Sequence, residues 1–241
     1  MNATSEYEGY ECVRFERDAH LLIVTIDRPD SELNAVDARL HHELCRLFAD
    51  LKSERTARAI VLTASGRAFC AGGDFAWFPD LRSVAALVEL RDDARSMIWD
   101  LLDVEVPIVC GLVGHATGLG ASIALLCDVI VMSEAAVLAD PHVKVGLVAG
   151  DGGAVIWPLA VGPALAKEAL LTGDPIRAER ALAIGLVNHV VEAGEVDATA
   201  REIAGRIAAN APLAVRFTKT AVNRSEDHTS ELQSPCNLVC R

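Results

Sequence analysis

Arg67-Ala68-Phe69-Cys70-Ala71-Gly72-Gly73-Asp74 and Gly114-His115-Ala116-Thr117-Gly118-Leu119-Gly120-Ala121 are the two stretches that decide how this chain folds. Each follows an apolar, β-branched run, residues 59–63 and 108–113, with the length and composition of a buried strand. The second leads into a helical stretch at residues 121–126. Both turns therefore fall at carboxyl ends of parallel strands, where open α/β sheets bind ligands. Glycines there let backbone N–H groups come close to an anion, and two such turns facing each other hold one oxyanion between two donors. Their spacing serves equally well for tight turns of purely structural use.

Outward from these turns, residues 11–15 and 21–26 flank a polar turn at 16–20 and predict an N-terminal β-hairpin. Leu40, Leu44, Leu47, Phe48 and Leu51 recur at i, i+4, i+7, i+8 and i+11, one stripe of a helix. A helical stretch over 81–102 and a strand over 129–132 continue the alternation, which implies parallel βαβ units. Beyond Gly150 the stretches 154–159, 164–171, 178–183, 197–208 and 213–222 all predict helices. With no internal repeat and no Pro- or Gly/Ser-rich linker, the chain is one α/β core with a helical C-terminal layer.

Composition narrows the function. The 241 residues are 51% hydrophobic and 23% charged, enough for a large buried core and unlike disordered or collagenous chains. No run of about 18 uncharged apolar residues is present and the first residues are polar and acidic, so neither a membrane span nor a secretory signal is expected and the chain reads as cytoplasmic. A formal charge of −12 argues against nucleic acid, whose binding needs a cationic surface. Seven cysteines without CxxC or Cys/His ligand spacing suit reduced thiols, and no structural metal is expected. The glycine spacing Gly114-x-x-x-Gly118-x-Gly120 matches short-chain dehydrogenases, but it does not open the first βαβ unit. Tyr7 and Tyr10 are the only tyrosines, so the Tyr-x-x-x-Lys expected downstream is missing.

Together with Arg28-Pro29, Leu33-Asn34-Ala35-Val36, Cys127-Asp128, Asp140-Pro141-His142, Gly150-Asp151-Gly152-Gly153, Leu171-Thr172-Gly173 and Ile184-Gly185-Leu186-Val187, these turns resemble the crotonase, or enoyl-CoA hydratase/isomerase, superfamily from about Glu11 to about Arg224. The resemblance implies stacked ββα units, a homotrimer or hexamer, and an acyl-CoA substrate with no separate cofactor. It implies an oxyanion hole made by the backbone N–H groups of Ala71 and Leu119, holding a thioester enolate, with Ala35, Gly72, Asp74, Trp77, Gly118 and Ser122 around the substrate. Leu119, where glycine is usual, is expected to add a side chain to the substrate's space. The domain is expected to span residues 1–224, with its core at about 10–190 and a helical part at about 191–224 that stops short of the family's last helices. Residues 225–241 resemble translated adapter read-through, with a disordered tail as the other reading.

Two departures stand against this pattern. Hydratases of the family handle water and its proton with two glutamates, and the corresponding positions here are Ser122 and His142. Serine is no carboxylate base, whereas imidazole works near neutral pH, so His142 is expected to be the base and Asp151, nine residues on, its orienting partner. This pair resembles the 6-oxocamphor hydrolase branch, which cleaves a carbon–carbon bond of a cyclic β-diketone without coenzyme A. The lysines expected near the coenzyme's phosphates are replaced by Asp30-Ser31-Glu32 and Phe75-Ala76-Trp77, leaving Arg28 as a substitute cation. Three readings result: acyl-CoA enolate chemistry, retro-Claisen hydrolysis of a non-CoA β-diketone, and a catalytically silent binding homologue.

Overall fold

The computed structural model describes residues 7–78 and 83–231, with side chains through Arg224. β1 (Val13–Asp18) and β2 (Leu21–Ile26) form the expected hairpin, but β1 runs on to Asp18 because the turn is only Ala19 and His20, with Ala19 at φ 51°. α1 (Ala38–Leu51) is capped by Asp37, whose side chain accepts from Leu40 N–H, and buries Leu40, Leu44, Leu47, Phe48 and Leu51 as the stripe predicts. β3 (Ala59–Ala64), β5 (Ile108–Leu112) and β7 (Val129–Ser133) are the apolar runs, buried on both faces as parallel strands require.

The Gly-rich loops hold what periodicity does not reveal. β4 (Ala68–Cys70), β6 (His115–Thr117) and β8 (Val137–Ala139) are three-residue strands, too short to show an alternation. Each follows a long strand and precedes a helix: α2 (Val84–Leu102), α3 (Leu119–Leu125) and α4 (Gly153–Thr172). The chain is thus a stack of ββα units with two sheets. The long strands pair in the order β1-β2-β3-β5-β7-β10, the short ones in the order β4-β6-β8-β9, where β9 is Ile176–Arg177 and β10 is His189–Val191. β9 and β10 lie in the half that the sequence predicts as helical, alongside α5 (Ala178–Ala183), α6 (Val196–Ala208) and α7 (Pro212–Glu231).

Alternation along β2 sends Leu22, Val24 and Ile26 into the main core and Leu21 and Ile23 to the opposite face. There α6 covers the sheet with a stripe of Val196, Ala200, Ala204 and Ala208, small enough to lie close to it. α4 joins two expected helices across Gly162, which has φ 76°, ψ 162° and lies beside Pro163. By length and composition alone this helix could cross a membrane, but it breaks at Gly162 and carries Lys167 and Glu168. α7 continues past Arg224 to Glu231, through part of the segment expected to lie outside the fold, and residues 232–241 are outside the described ones.

A buried carboxylate ties the N-terminus to the sheet. Glu54, 2% exposed, accepts from Tyr7 Oη and Arg17 Nη2 at 2.7 Å each, and from Thr56 N, Thr56 Oγ1 and Ala57 N at 2.6, 2.6 and 2.8 Å. Burial pushes its pKa up, but these donors, Arg17 first, outweigh burial and hold it at about 2. Its folded pKa lies below the unfolded value, so its contribution is present above about pH 4.5 and lost as pH falls through 2. Glu54→Gln is expected to destabilise the protein by about 3 kcal/mol at pH 7, read as a lowered Tm, because it removes the charge that Arg17 and the amides face.

Candidate active site

The two Gly-rich turns meet because the short strands carry them to the same edge. β4 pairs with β6 and β6 with β8, all parallel, which places Ala71 to Asp74, Gly118 to Gly120 and Asp140 to His142 side by side. The approach is close. A Cβ on Gly120 would lie 2.4 Å from Cys70 O, and one on Gly114 2.4 Å from Arg67 O, so only glycine lets these backbones touch. A Cβ on Gly118 would lie 3.3 Å from His142 Cε1 and 3.8 Å from Gly72 Cα, so the imidazole and both turns enclose one space.

The donors in that space differ from the expected set. Ala71 N–H donates to Leu33 O at 3.0 Å and is therefore engaged inside the loop, which corrects its expected place in an oxyanion hole. Gly72 N–H faces the Cys70 thiol, and Gly72 O accepts from Val36 N at 2.8 Å. Gly73 N–H, next along the loop, has no hydrogen-bond partner among the described residues. Leu119 N–H, in the first turn of α3, is also unpartnered there. The Leu119 side chain is 7% exposed and packs in the main core, so it does not narrow the substrate's space as expected.

His142 begins a short 3-10 turn (His142–Val145) and is held on both sides. Its Nδ1 stands 2.5 Å from Asp140 Oδ1 and its Nε2 3.2 Å from Asp151 Oδ2. Asp151 is thus a partner, as expected, but Asp140 is the fully buried one, 1% exposed, and takes the orienting role. The sequence held the Asp-Pro-His segment in view without giving its aspartate a function. A Cβ on Gly153 would lie 2.2 Å from Asp140 Oδ2, so a glycine at the start of α4 makes room for this carboxylate. Burial drives the imidazole's pKa down, but the hydrogen bonds to Asp140 and then Asp151 outweigh it, leaving a value of about 10. His142 is therefore an imidazolium at neutral pH. With both nitrogens protonated it has no lone pair and, in this state, donates to a carboxylate on each side.

The remaining expected residues divide into two groups. Ser122 is fully buried, and its hydroxyl donates to Asp151 Oδ1 at 3.4 Å, so it steadies Asp151. Asp74, Ala35 and Arg28 form a structural knot. Arg28 bonds Asp74 Oδ2 at 2.8 Å, Asp30 Oδ1 at 2.9 Å and Ala35 O at 2.5 Å, and pairs with Asp37 at 3.3 Å. With three carboxylates around it, Arg28 offers no free charge to a phosphate, contrary to expectation. Trp77 packs on the His41 ring of α1, centroids 5.4 Å apart. Beyond Asp151, a cavity of about 380 Å³ runs from Gly152 past Ile98, Leu102, Leu126, Ile156 and Leu159, closed by Lys219 and Asn223 of α7.

Stacked ββα units with one long-stranded and one short-stranded sheet are the architecture of the crotonase class of enzymes, which this fold matches. The chain belongs to the enoyl-CoA hydratase/isomerase family, whose model matches residues 16–238, and is an enoyl-CoA hydratase/isomerase-like lyase. It is 33% identical to the short-chain-enoyl-CoA hydratase of Clostridium acetobutylicum over 88% of this chain and 81% of that protein. It is 36% identical to the (E)-benzylidenesuccinyl-CoA hydratase of Thauera aromatica, over 89% and 83%. The crystal structure of an enoyl-CoA hydratase/isomerase from Mycobacterium paratuberculosis superposes with a TM-score of 0.88 at 39% identity, covering 94% of this chain and 90% of that one.

The charge state of His142 is directly measurable. Its folded pKa lies above the unfolded value, so the stability it contributes is complete below about pH 6.5 and lost as pH rises through about 10. Asp140→Asn is expected to bring the His142 Cε1–H titration, followed by NMR, down from about 10 toward 6.5 and to remove that alkaline loss of stability.

Proposed function

We propose that this protein catalyses addition and removal of water, or proton transfer, at an enoyl-CoA thioester, using an imidazolium–carboxylate pair where relatives use two glutamates. Hydration needs one group to accept the water's proton and one to deliver a proton to the α-carbon. Two glutamates meet that need with one ionised and one protonated. Asp151 and His142 meet it with the same division, Asp151 as acceptor and the His142 imidazolium as donor. The thioester oxygen sits between Gly73 N–H and Leu119 N–H, and the imidazolium against Gly118 adds positive charge where the enolate forms. The observation that carries the reading is the His142 Nε2 to Asp151 Oδ2 contact of 3.2 Å beside two unpartnered main-chain donors.

On this reading the acyl tail enters the cavity beyond Gly152, whose volume is within the range of small-molecule pockets. The coenzyme's phosphates find Arg67 in place of Arg28: it is exposed, at the start of the first Gly-rich turn, and makes no ion pair among the described residues. Exposed Val143, Val145, Leu147, Val148, Val155 and Leu159 supply an apolar face for a homotrimer or hexamer.

Crotonyl-CoA incubated in D2O is expected to lose its conjugated absorbance and take deuterium at the α-carbon. Asp151→Asn and His142→Gln are each expected to lower kcat by about 10²- to 10⁴-fold. Turnover of a cyclic β-diketone, with none of any CoA ester, would replace this reading by the retro-Claisen one, and no turnover of either would leave a silent homologue. Arg67→Glu is expected to raise KM for the CoA ester while leaving the matching pantetheine thioester, which lacks the nucleotide phosphates, unaffected.

A further inference from the structure

Beside Trp77, α1 and α2 bring together three side chains that the acyl-CoA chemistry does not use. His41 and Cys45 are four residues apart on α1, hence on one helix face, and Asp93 reaches across from α2. One ligand atom from each, imidazole nitrogen, thiol sulfur and carboxylate oxygen, lie within 4.8 Å of one another. The His41 imidazole has no hydrogen bond among the described residues. Its Nε2 is buried without a partner, and its Nδ1 is 3.9 Å from Asp93 Oδ2, beyond hydrogen-bond length, although the side chain is only 7% exposed. A buried imidazole left in that state is costly unless something supplies the missing partner.

We propose that His41, Cys45 and Asp93 bind a divalent transition-metal ion of the zinc type. The donor set is borderline-soft, one nitrogen, one sulfur and one oxygen, which suits Zn²⁺ and excludes the all-oxygen cages of Ca²⁺ and Mg²⁺. Tetrahedral coordination at ordinary bond lengths puts ligand atoms roughly 3.4–3.6 Å apart, so the cluster must contract by about 1 Å at its widest. Cys45 is half-buried and Asp93 half-exposed, so these two can make that movement while His41 stays anchored against Trp77. Coordination replaces the Cys45 S–H bond by a sulfur–metal bond and releases that proton to water. Three protein ligands leave the fourth position to water, reached through the exposed Asp93 side. The motif escapes a search for CxxC because its two α1 ligands are joined by a helical turn, which revises the expectation of no metal. His41 also packs against Trp77, three residues beyond Asp74 on the first Gly-rich turn, so the ion adjoins the segment that follows that turn.

The test is a Co²⁺ titration of the full chain carrying Cys236→Ser and Cys240→Ser, which removes the tail thiols as competitors. One equivalent is expected to produce a thiolate-to-cobalt charge-transfer band with visible ligand-field bands of tetrahedral intensity, quench part of the tryptophan fluorescence through Trp77, and be displaced by Zn²⁺. Cys45→Ser in the same background, shown to be folded by circular dichroism, is expected to abolish the charge-transfer band. Asp93→Asn, at an exposed position, is expected to weaken Co²⁺ binding by about 100-fold or more, beyond the upper end of outer-shell effects. Absence of the band in the parent, or its survival in Cys45→Ser, overturns the proposal. Asp140, His142 and Asp151 contribute no thiol and cannot produce that band.

Discussion

Contact between bare backbones is the constraint on which the rest of this structure depends. Where β6 turns into α3, Gly120 lies against Cys70 O, and where β5 turns into β6, Gly114 lies against Arg67 O. In each case a single methyl group would overlap an oxygen. The short sheet exists because these turns can touch, and it in turn fixes the positions of Gly73 N–H, Leu119 N–H and His142. Asn34, at φ 47° and 1% exposed, reinforces the same arrangement by donating to Ser65 O and Ala68 O and accepting from Arg28 N–H. The geometry of the candidate site is thus a by-product of packing main chain on main chain, with few side chains between.

That explains what could be read from the chain before its structure. α1 and α5, together with β2, β3, β5 and β7, carry strong periodicity or continuous apolar runs, and their positions follow from pattern alone. β4, β6, β8 and β9 have three residues or fewer and draw their identity from neighbours distant in sequence, so no local signal marks them. In the site the outcome has the same cause. The two glycine turns and the His142–Asp151 pair were legible from residue type and spacing. The identity of the free N–H was not, because it depends on Leu33 O taking the Ala71 donor, a pairing across nearly forty residues of chain. Asp140 was invisible as an orienter because it lies two residues before His142 across a proline, and only the turn at Pro141 folds the imidazole back onto it.

Burial and charge decide the chemistry of His142 between them. Burial alone pushes the imidazole toward its neutral form, and each carboxylate beside it pushes the other way. Two carboxylates, one of them almost wholly buried, outweigh the burial and keep the ring charged. The same reasoning in the opposite direction removes Arg28 from consideration as a phosphate receptor: a guanidinium with three carboxylate neighbours is a structural rivet.

α7 lies over the cavity beyond Gly152, with Lys219 paired to Asp128 at 2.7 Å and Asn223 donating to Leu102 O at 3.1 Å. Because it comes late in the chain, the apolar wall of Ile98, Leu102 and Leu126 has emerged from the ribosome well before its cover exists. During synthesis that wall faces water or a chaperone, and the interval is set by translation speed. Exposure of that wall is therefore greatest in the interval between synthesis of Leu126 and of α7, when the wall is made and its pocket is still open.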